Sequence, residues 1–317
     1  DREIDHGWRR TSYSSLAAPA HDAAVGSEPE VEVLDDESLP EVLVVAQADG
    51  AEHVPSPMAD LPSGAQFGSL VHAVLEHADP TGHGGDLRAE LAARIDDEWI
   101  NWPQEVDRDL LADALVAVCQ TPLGPAAQGR TLAQIPLRDR LCELDFELPL
   151  GGGDLGLSTT GVQLRDVAPL LRKHLNEDDP VRAWADALAN PLLGEQDLRG
   201  YLTGSVDVVL RVDGRYLVVD YKTNWLGTFD EPLTSAAYTP AALDAAMGRS
   251  DYPLQALLYA VVLHRFLRWR LPDYDPTRDL GGVLYLYLRG MCGPETPIIG
   301  GQPCGVFVGH PPVALVE

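Results

Sequence analysis

Asp207, Asp220 and Lys222 have the types and spacing to hold a cation and act on a phosphate ester. They lie in LTGSVDVVLRVDGRYLVVDYKTNW, two β-rich runs joined by Asp213-Gly214, a dipeptide suited to a tight hairpin turn. A two-residue loop sets Val212 opposite Arg215 and, counting outward, Asp207 opposite Asp220. Side chains alternate along a strand, so Val206, Val208, Leu210, Val212, Leu217, Val219 and Tyr221 share one face. Asp207, Asp220 and Lys222 share the other with Val209 and Val218. Opposed Cβ atoms stand roughly 4.5–5.5 Å apart, where like charges destabilise the pair unless something cationic lies between them. Lys222 is one candidate. A divalent ion with oxygen ligands satisfies both acids, and this chemistry favours Mg²⁺, with Mn²⁺ as a substitute. The alternative is a solvated sheet face with a weak ion pair. Against it stand Val208, Val209, Leu217, Val218 and Val219, too apolar for a water-facing edge, so the acids are expected in a cleft where unpaired charge is costly.

The elements that must position these residues are legible from periodicity. Phe67, Leu70, Val71, Val74, Leu75 and Ala78 form one apolar stripe, predicting a helix over Gln66 to Ala78 whose other face carries His72 and Glu76. Helices are expected over Asp86 to Ile100 and Glu105 to Gln120. Cys142 to Leu148 alternates as a half-buried strand, turning Glu143, Asp145 and Glu147 away from the core. A helical insertion spans Gln163 to Ala189. A helix over Pro253 to Arg268, with its proline in the first turn, brings Gln255 and Tyr259 onto one face. Gly282 to Arg289 reads as a strand covered on both faces. The order helix, strand, hairpin, helix, strand defines an α/β fold with a mixed central sheet flanked by helices.

Composition narrows the rest. At 317 residues the chain can bury a full core, and no apolar run is long enough to cross a bilayer. Residues 1–16, with the patch Trp8 to Ser14, read as a docking segment, residues 17–62 as an acidic linker or arm, and residues 63–317 as the main domain. Asp1 to Arg10 carry neither a secretory signal nor an initiator Met, as expected of a piece of a longer polypeptide. The four cysteines lack zinc or cluster spacing and read as free thiols of a reducing cytoplasm. A net charge of −26 repels polyanions at long range, so any nucleic-acid contact must be local, ion-assisted or shared with a partner. No Gly-x-x-x-x-Gly-Lys-Ser/Thr loop is present, so the chain brings no ATP-driven motor of its own.

With this order of elements, the chain resembles the restriction-endonuclease-like PD-(D/E)xK nucleases. More narrowly, it is similar to the C-terminal nuclease domains of the RecB (exonuclease V β) type. The resemblance rests on Trp8 to Ser14, Gly68 to His72, Leu202 to Leu210, Gly214 to Gly227, Tyr252 to Arg268, Tyr274-Asp275 and Gly281 to Gly290. A lone Asp followed by Asp-x-Lys is weak; His72, the Asp220 to Gly227 run and Gln255 with Tyr259 make the match specific. The resemblance implies Asp207, Asp220 and Lys222 as catalytic residues. It implies His72, Asp207, Asp220 and the backbone carbonyl of Tyr221 as metal ligands, and Gln255 and Tyr259 as DNA contacts or supports of the ligands. Taken alone, His72 is an ordinary helix histidine and Tyr259 a core residue; Glu76 and Glu143 are not assigned as ligands, and no iron-sulfur cluster is expected. The family also implies single- and double-stranded DNA as substrate, an N-terminal helicase region of the same polypeptide, RecC-like and RecD-like subunits, and double-strand-break processing in the bacterial cytoplasm. Two other readings stay open: a catalytically inactive module for DNA guidance or subunit docking, and a phosphoesterase acting on small molecules.

Overall fold

The computed structural model describes residues 9–12, 15–16, 53–102, 105–151, 161–228 and 230–317. Six strands form one mixed sheet: β1 (Arg9–Ser12), β2 (Arg140–Pro149), β3 (Gly200–Val212), β4 (Arg215–Lys222), β5 (Leu280–Tyr287) and β8 (Val306–Gly309). Between the last two, β6 (Ile298–Ile299) and β7 (Gln302–Pro303) make a small separate hairpin. The β3-β4 turn is as the sequence predicts: Asp213 and Gly214 both have positive φ, 48° and 85°, and pairing runs from Val212↔Arg215 to Val208↔Val219.

The sheet forks beside Asp207. β2 covers one edge of β3 along Tyr201–Leu210. The other edge is shared: β4 takes Val208–Val212, parallel β1 takes Gly200–Thr203, and neither pairs with residues 204–207. Asp207 is therefore not held in a ladder pair with Asp220; the ladder ends one step earlier. The alternation of faces also breaks there. Val208, Leu210, Val212, Leu217, Val219 and Tyr221 share one core as expected, but Val206 joins Val209 and Val218 in the other. Across from Asp207, Glu143 has φ 46°, and the β2-β3 ladder passes from Cys142↔Val208 to Leu144↔Val206 without a pair at this step. A local irregularity of this kind re-aims side chains, as β-bulges do.

Helices cover both faces. α1 (Ala65–His77) buries Phe67, Leu70, Val71, Val74 and Leu75 against one, with α2 (Leu87–Glu98) and α3 (Arg108–Gln120) outside it. α2 and α3 start later than periodicity suggests because Asp86 and Asp107 accept backbone N–H bonds as caps instead of continuing the helix. The insertion folds as α4 (Ala168–His174) and shorter turns around the buried Trp184. On the other face lie α5 (Pro240–Arg249) and α6 (Tyr252–Arg270), the latter with Pro253 in its first turn. β5 ends at Tyr287 and a helical turn holds Leu288–Gly290.

The two N-terminal segments take particular places in the fold. Arg9–Ser12 of the docking segment joins the sheet as β1, and Leu16 is buried. Residues 53–62 fall within the stretch read as an acidic arm, yet Met58 and Leu61 sit in the first core, so the packed body begins nearer residue 53 than residue 63. Residues 17–52 lie outside the described part. Among the described residues no helix is long and apolar enough to cross a membrane.

Candidate active site

α1 and α6 pack on opposite faces of the sheet, and side chains from both reach the fork. His72, on α1, sets Nε2 3.0 Å from the carbonyl oxygen of Tyr221 and Nδ1 3.4 Å from Asp207 Oδ2. The same Asp207 oxygen accepts the Tyr221 backbone N–H at 2.8 Å. One residue away, the Lys222 ammonium stands 3.0 Å from Asp220 Oδ2, both side chains almost fully buried. His72, Asp207 and Tyr221 thus meet directly, and the Asp220–Lys222 pair lies beside them. The cleft is at the split of the sheet, not simply between sheet and helix as alternation suggested.

Charge ties the two groups together. Burial lowers the His72 pKa, the nearby Asp220 carboxylate opposes this and Lys222 reinforces it. Tyr259 is raised well above its ordinary value by burial, with Asp220 and then Asp207 adding to the rise. Glu143, left unassigned from sequence, sits close enough to feel His72; burial raises its pKa, and the bond it accepts from Ser205 Oγ at 2.8 Å counters this.

The donor set fits a divalent ion. A neutral imidazole has one N–H, yet both ring nitrogens of His72 face oxygens that only accept, Asp207 Oδ2 and the Tyr221 carbonyl. One nitrogen lone pair is therefore aimed at an oxygen lone pair, a contact that a cation relieves. Carboxylate and carbonyl oxygens with one imidazole nitrogen form a donor set for a divalent metal ion. Among the described residues no three His, Cys, Asp or Glu side chains are drawn into a cage. Asp220 is engaged with Lys222 instead, so binding an ion through it requires that carboxylate to share itself between the two.

On the α6 side, Gln255 and Tyr259 are both buried and bonded to each other, Gln255 Nε2 donating to Tyr259 Oη at 3.2 Å. Tyr285 Oη donates to Gln255 Oε1 at 2.9 Å, locking the amide between two phenols. These two residues therefore stand as supports within the wall of the cleft. Sequence reasoning missed Tyr252, which extends the Gln255–Tyr259 stripe one turn back; the three- and four-residue spacing was the available signal. It also missed the buried Arg289, which bonds the Thr223 carbonyl just after Lys222 and the carbonyls of Met58 and Leu61 just before α1. No local pattern announces that arginine. Because Tyr221 contributes through its carbonyl and its ring is buried in the first core, Tyr221→Phe is expected to leave DNA cleavage near the parent rate, measured as acid-soluble release from labelled linear DNA.

A mixed sheet split beside Asp207, with Asp220-x-Lys222 on the adjoining strand and a helix histidine closing the cleft, is the architecture of a nuclease class, and the chain belongs to the PD-(D/E)XK nuclease superfamily, whose family model matches residues 46–297. More particularly, it is similar to RecBCD enzyme subunit RecB: 59% identical over 317 residues to that of Mycolicibacterium smegmatis and 55% over 320 residues to that of Mycobacterium tuberculosis, each match covering 99% of this chain. The RecB of Escherichia coli is 32% identical over 294 residues, 90% of this chain. The chain spans 29%, 28% and 21% of the length of these relatives.

Proposed function

We propose that this chain is the nuclease portion of a RecBCD-type helicase-nuclease, hydrolysing phosphodiester bonds of single- and double-stranded DNA with Mg²⁺, for which Mn²⁺ substitutes. The meeting of His72, Asp207 and the Tyr221 carbonyl beside the Asp220–Lys222 pair carries this reading. His72, Asp207, Asp220 and the Tyr221 carbonyl would hold the ion. A divalent ion there supplies Lewis acidity toward a phosphate oxygen and acidifies a nearby water. Lys222, as Asp220 turns partly toward the ion, directs its ammonium at the phosphate and offsets charge that grows in the transition state. Asp207 fixes the strand end by accepting the Tyr221 N–H. Gln255 and Tyr259, bonded to each other and to Tyr285, keep the opposite wall in register.

The reading extends to the assembly: a helicase region on the same polypeptide, RecC-like and RecD-like subunits that deliver the strand, and a cytoplasmic role in double-strand-break repair. A net charge of −26 supports dependence on such delivery. The test compares linear single- and double-stranded DNA with a nucleotide monoester, each with Mg²⁺, Mn²⁺ or a chelator, alongside calorimetric Mn²⁺ binding. Ion-dependent cleavage of DNA with little monoester turnover is expected. Preferential monoester hydrolysis, or DNA cleavage indifferent to chelation, would overturn the proposal; loss of both Mn²⁺ binding and cleavage in the intact chain would favour a non-catalytic docking module.

A further inference from the structure

Lys222 is buried with its ammonium over the face of Tyr252, 4.2 Å from the ring centroid, while the Tyr285 ring lies at 5.7 Å. Neither tyrosine was singled out by its sequence. The platform is rigid. Tyr252 stacks on Tyr285 at 5.8 Å and 26°, and its hydroxyl donates to Asn224 Oδ1 at 3.2 Å. The Tyr285 hydroxyl in turn donates to Gln255 Oε1 at 2.9 Å and lies 3.3 Å from the Tyr252 carbonyl. An ammonium over a desolvated aromatic face is attracted by the ring quadrupole in addition to its carboxylate partner.

We infer that Tyr252, backed by Tyr285, is a positioning residue for Lys222: its ring holds the ammonium in the cleft when the Asp220 carboxylate is drawn toward another partner. The inference rests on the proposed nuclease role of Lys222 for its catalytic consequence, but not for its geometry. Asp220 alone would let the ammonium follow the carboxylate as it turns. The ring supplies a second, immobile attraction from the α6 side, so the two charges can separate without Lys222 swinging out of line. The hydroxyl of Tyr252 donates to Asn224 Oδ1 while its ring faces the ammonium, so the inference assigns the positioning to the face.

The sequence offers an unusually clean probe, because Lys173 and Lys222 are its two lysines. In the full chain labelled with lysine carrying ¹³C at Cε, two resonances result, assigned by Lys173→Arg. The Lys222 Cε protons are expected upfield of those of Lys173 through the Tyr252 ring current, unmoved by Tyr252→Phe and shifted back by Tyr252→Met. With saturating DNA and Mg²⁺, Tyr252→Phe should keep kcat near the parent value, and Tyr252→Met should lower it roughly 10- to 30-fold. Adding Lys222→Ala to Tyr252→Met should cost little beyond Lys222→Ala alone. Coincident lysine resonances in the parent protein overturn the inference even if Tyr252→Met fails to fold. So does a Tyr252→Phe variant as slow as Tyr252→Met, or strictly additive losses. If Lys222→Ala itself cleaves normally, the catalytic assignment of Lys222 fails while the resonance shift still reports the platform.

Discussion

Asp220→Asn is expected to lower DNA cleavage by about 10³-fold or more, the scale seen when a charge-stabilising group is removed from a reaction centre. The substitution keeps the volume of the side chain and removes the charge that both an ion and Lys222 need. Asp220 is 2% exposed and its Oδ2 stands 3.0 Å from the Lys222 ammonium. Breaking a buried pair by neutralising one partner costs about 3–5 kcal/mol where the other charge stays buried. Circular dichroism of the variant at the assay temperature therefore has to accompany the rates. A second readout separates fold from chemistry: the variant should bind Mn²⁺ more weakly by calorimetry while keeping the far-ultraviolet spectrum of the parent. Cleavage within tenfold of the parent by a folded variant would remove Asp220 from the reaction.

A large effect on stability is expected at Arg289. Its guanidinium is fully buried and donates to the Thr223 carbonyl at 2.7 Å, to Met58 at 2.7 Å, to Leu61 at 3.4 Å and to the Pro62 carbonyl. It also lies between two aromatic rings, 5.5 Å from the centroid of Phe67 and 5.3 Å from that of Trp225. Arg289→Met fills much of the space but leaves several carbonyls without this donor, at about 1–3 kcal/mol for each buried group left unsatisfied. A total of roughly 3–5 kcal/mol, or on the order of 10 °C in Tm, is expected in a calorimetric melt. Arg289→Lys should recover only part of it, since one ammonium cannot reproduce a planar fork spread over four carbonyls. The same cut should expose residues 53–62 to limited proteolysis before the body unfolds. Unchanged protease resistance together with an unchanged melt would show that the segment holds itself in place. Arg289 links the approach to α1, which carries His72, with the exit from β4, which carries Lys222, so its loss should also loosen the cleft.

How much of this was legible beforehand depends on the range of the interaction. The hairpin was legible because Asp213-Gly214 adopts positive φ at little cost and strands alternate strictly, and its register follows from those local facts. The α1 stripe and the Gln255–Tyr259 pair were legible for the same kind of reason, helical spacing. The alternation fails at Val206, beside the step where Glu143, on a strand far away in sequence, takes a positive φ and the β2-β3 ladder skips a pair, and no pattern within β3 carries that information. The acidic composition around residues 53–62 concealed Met58 and Leu61, which pack in the first core while a distant arginine donates to their carbonyls.

By itself, then, the amino-acid sequence determined which residues stand as candidates for the chemistry and most of the strands and helices that hold them, since types, turn preferences and periodicity are properties of neighbouring residues. Only the tertiary structure decided that the sheet parts at Asp207, that His72 reaches across to Tyr221, that Lys222 rests on Tyr252 and that Arg289 binds two remote loops. Each of these contacts joins residues far apart along the chain, and each polar group takes its partner from whatever the closing core brings within reach once water is excluded.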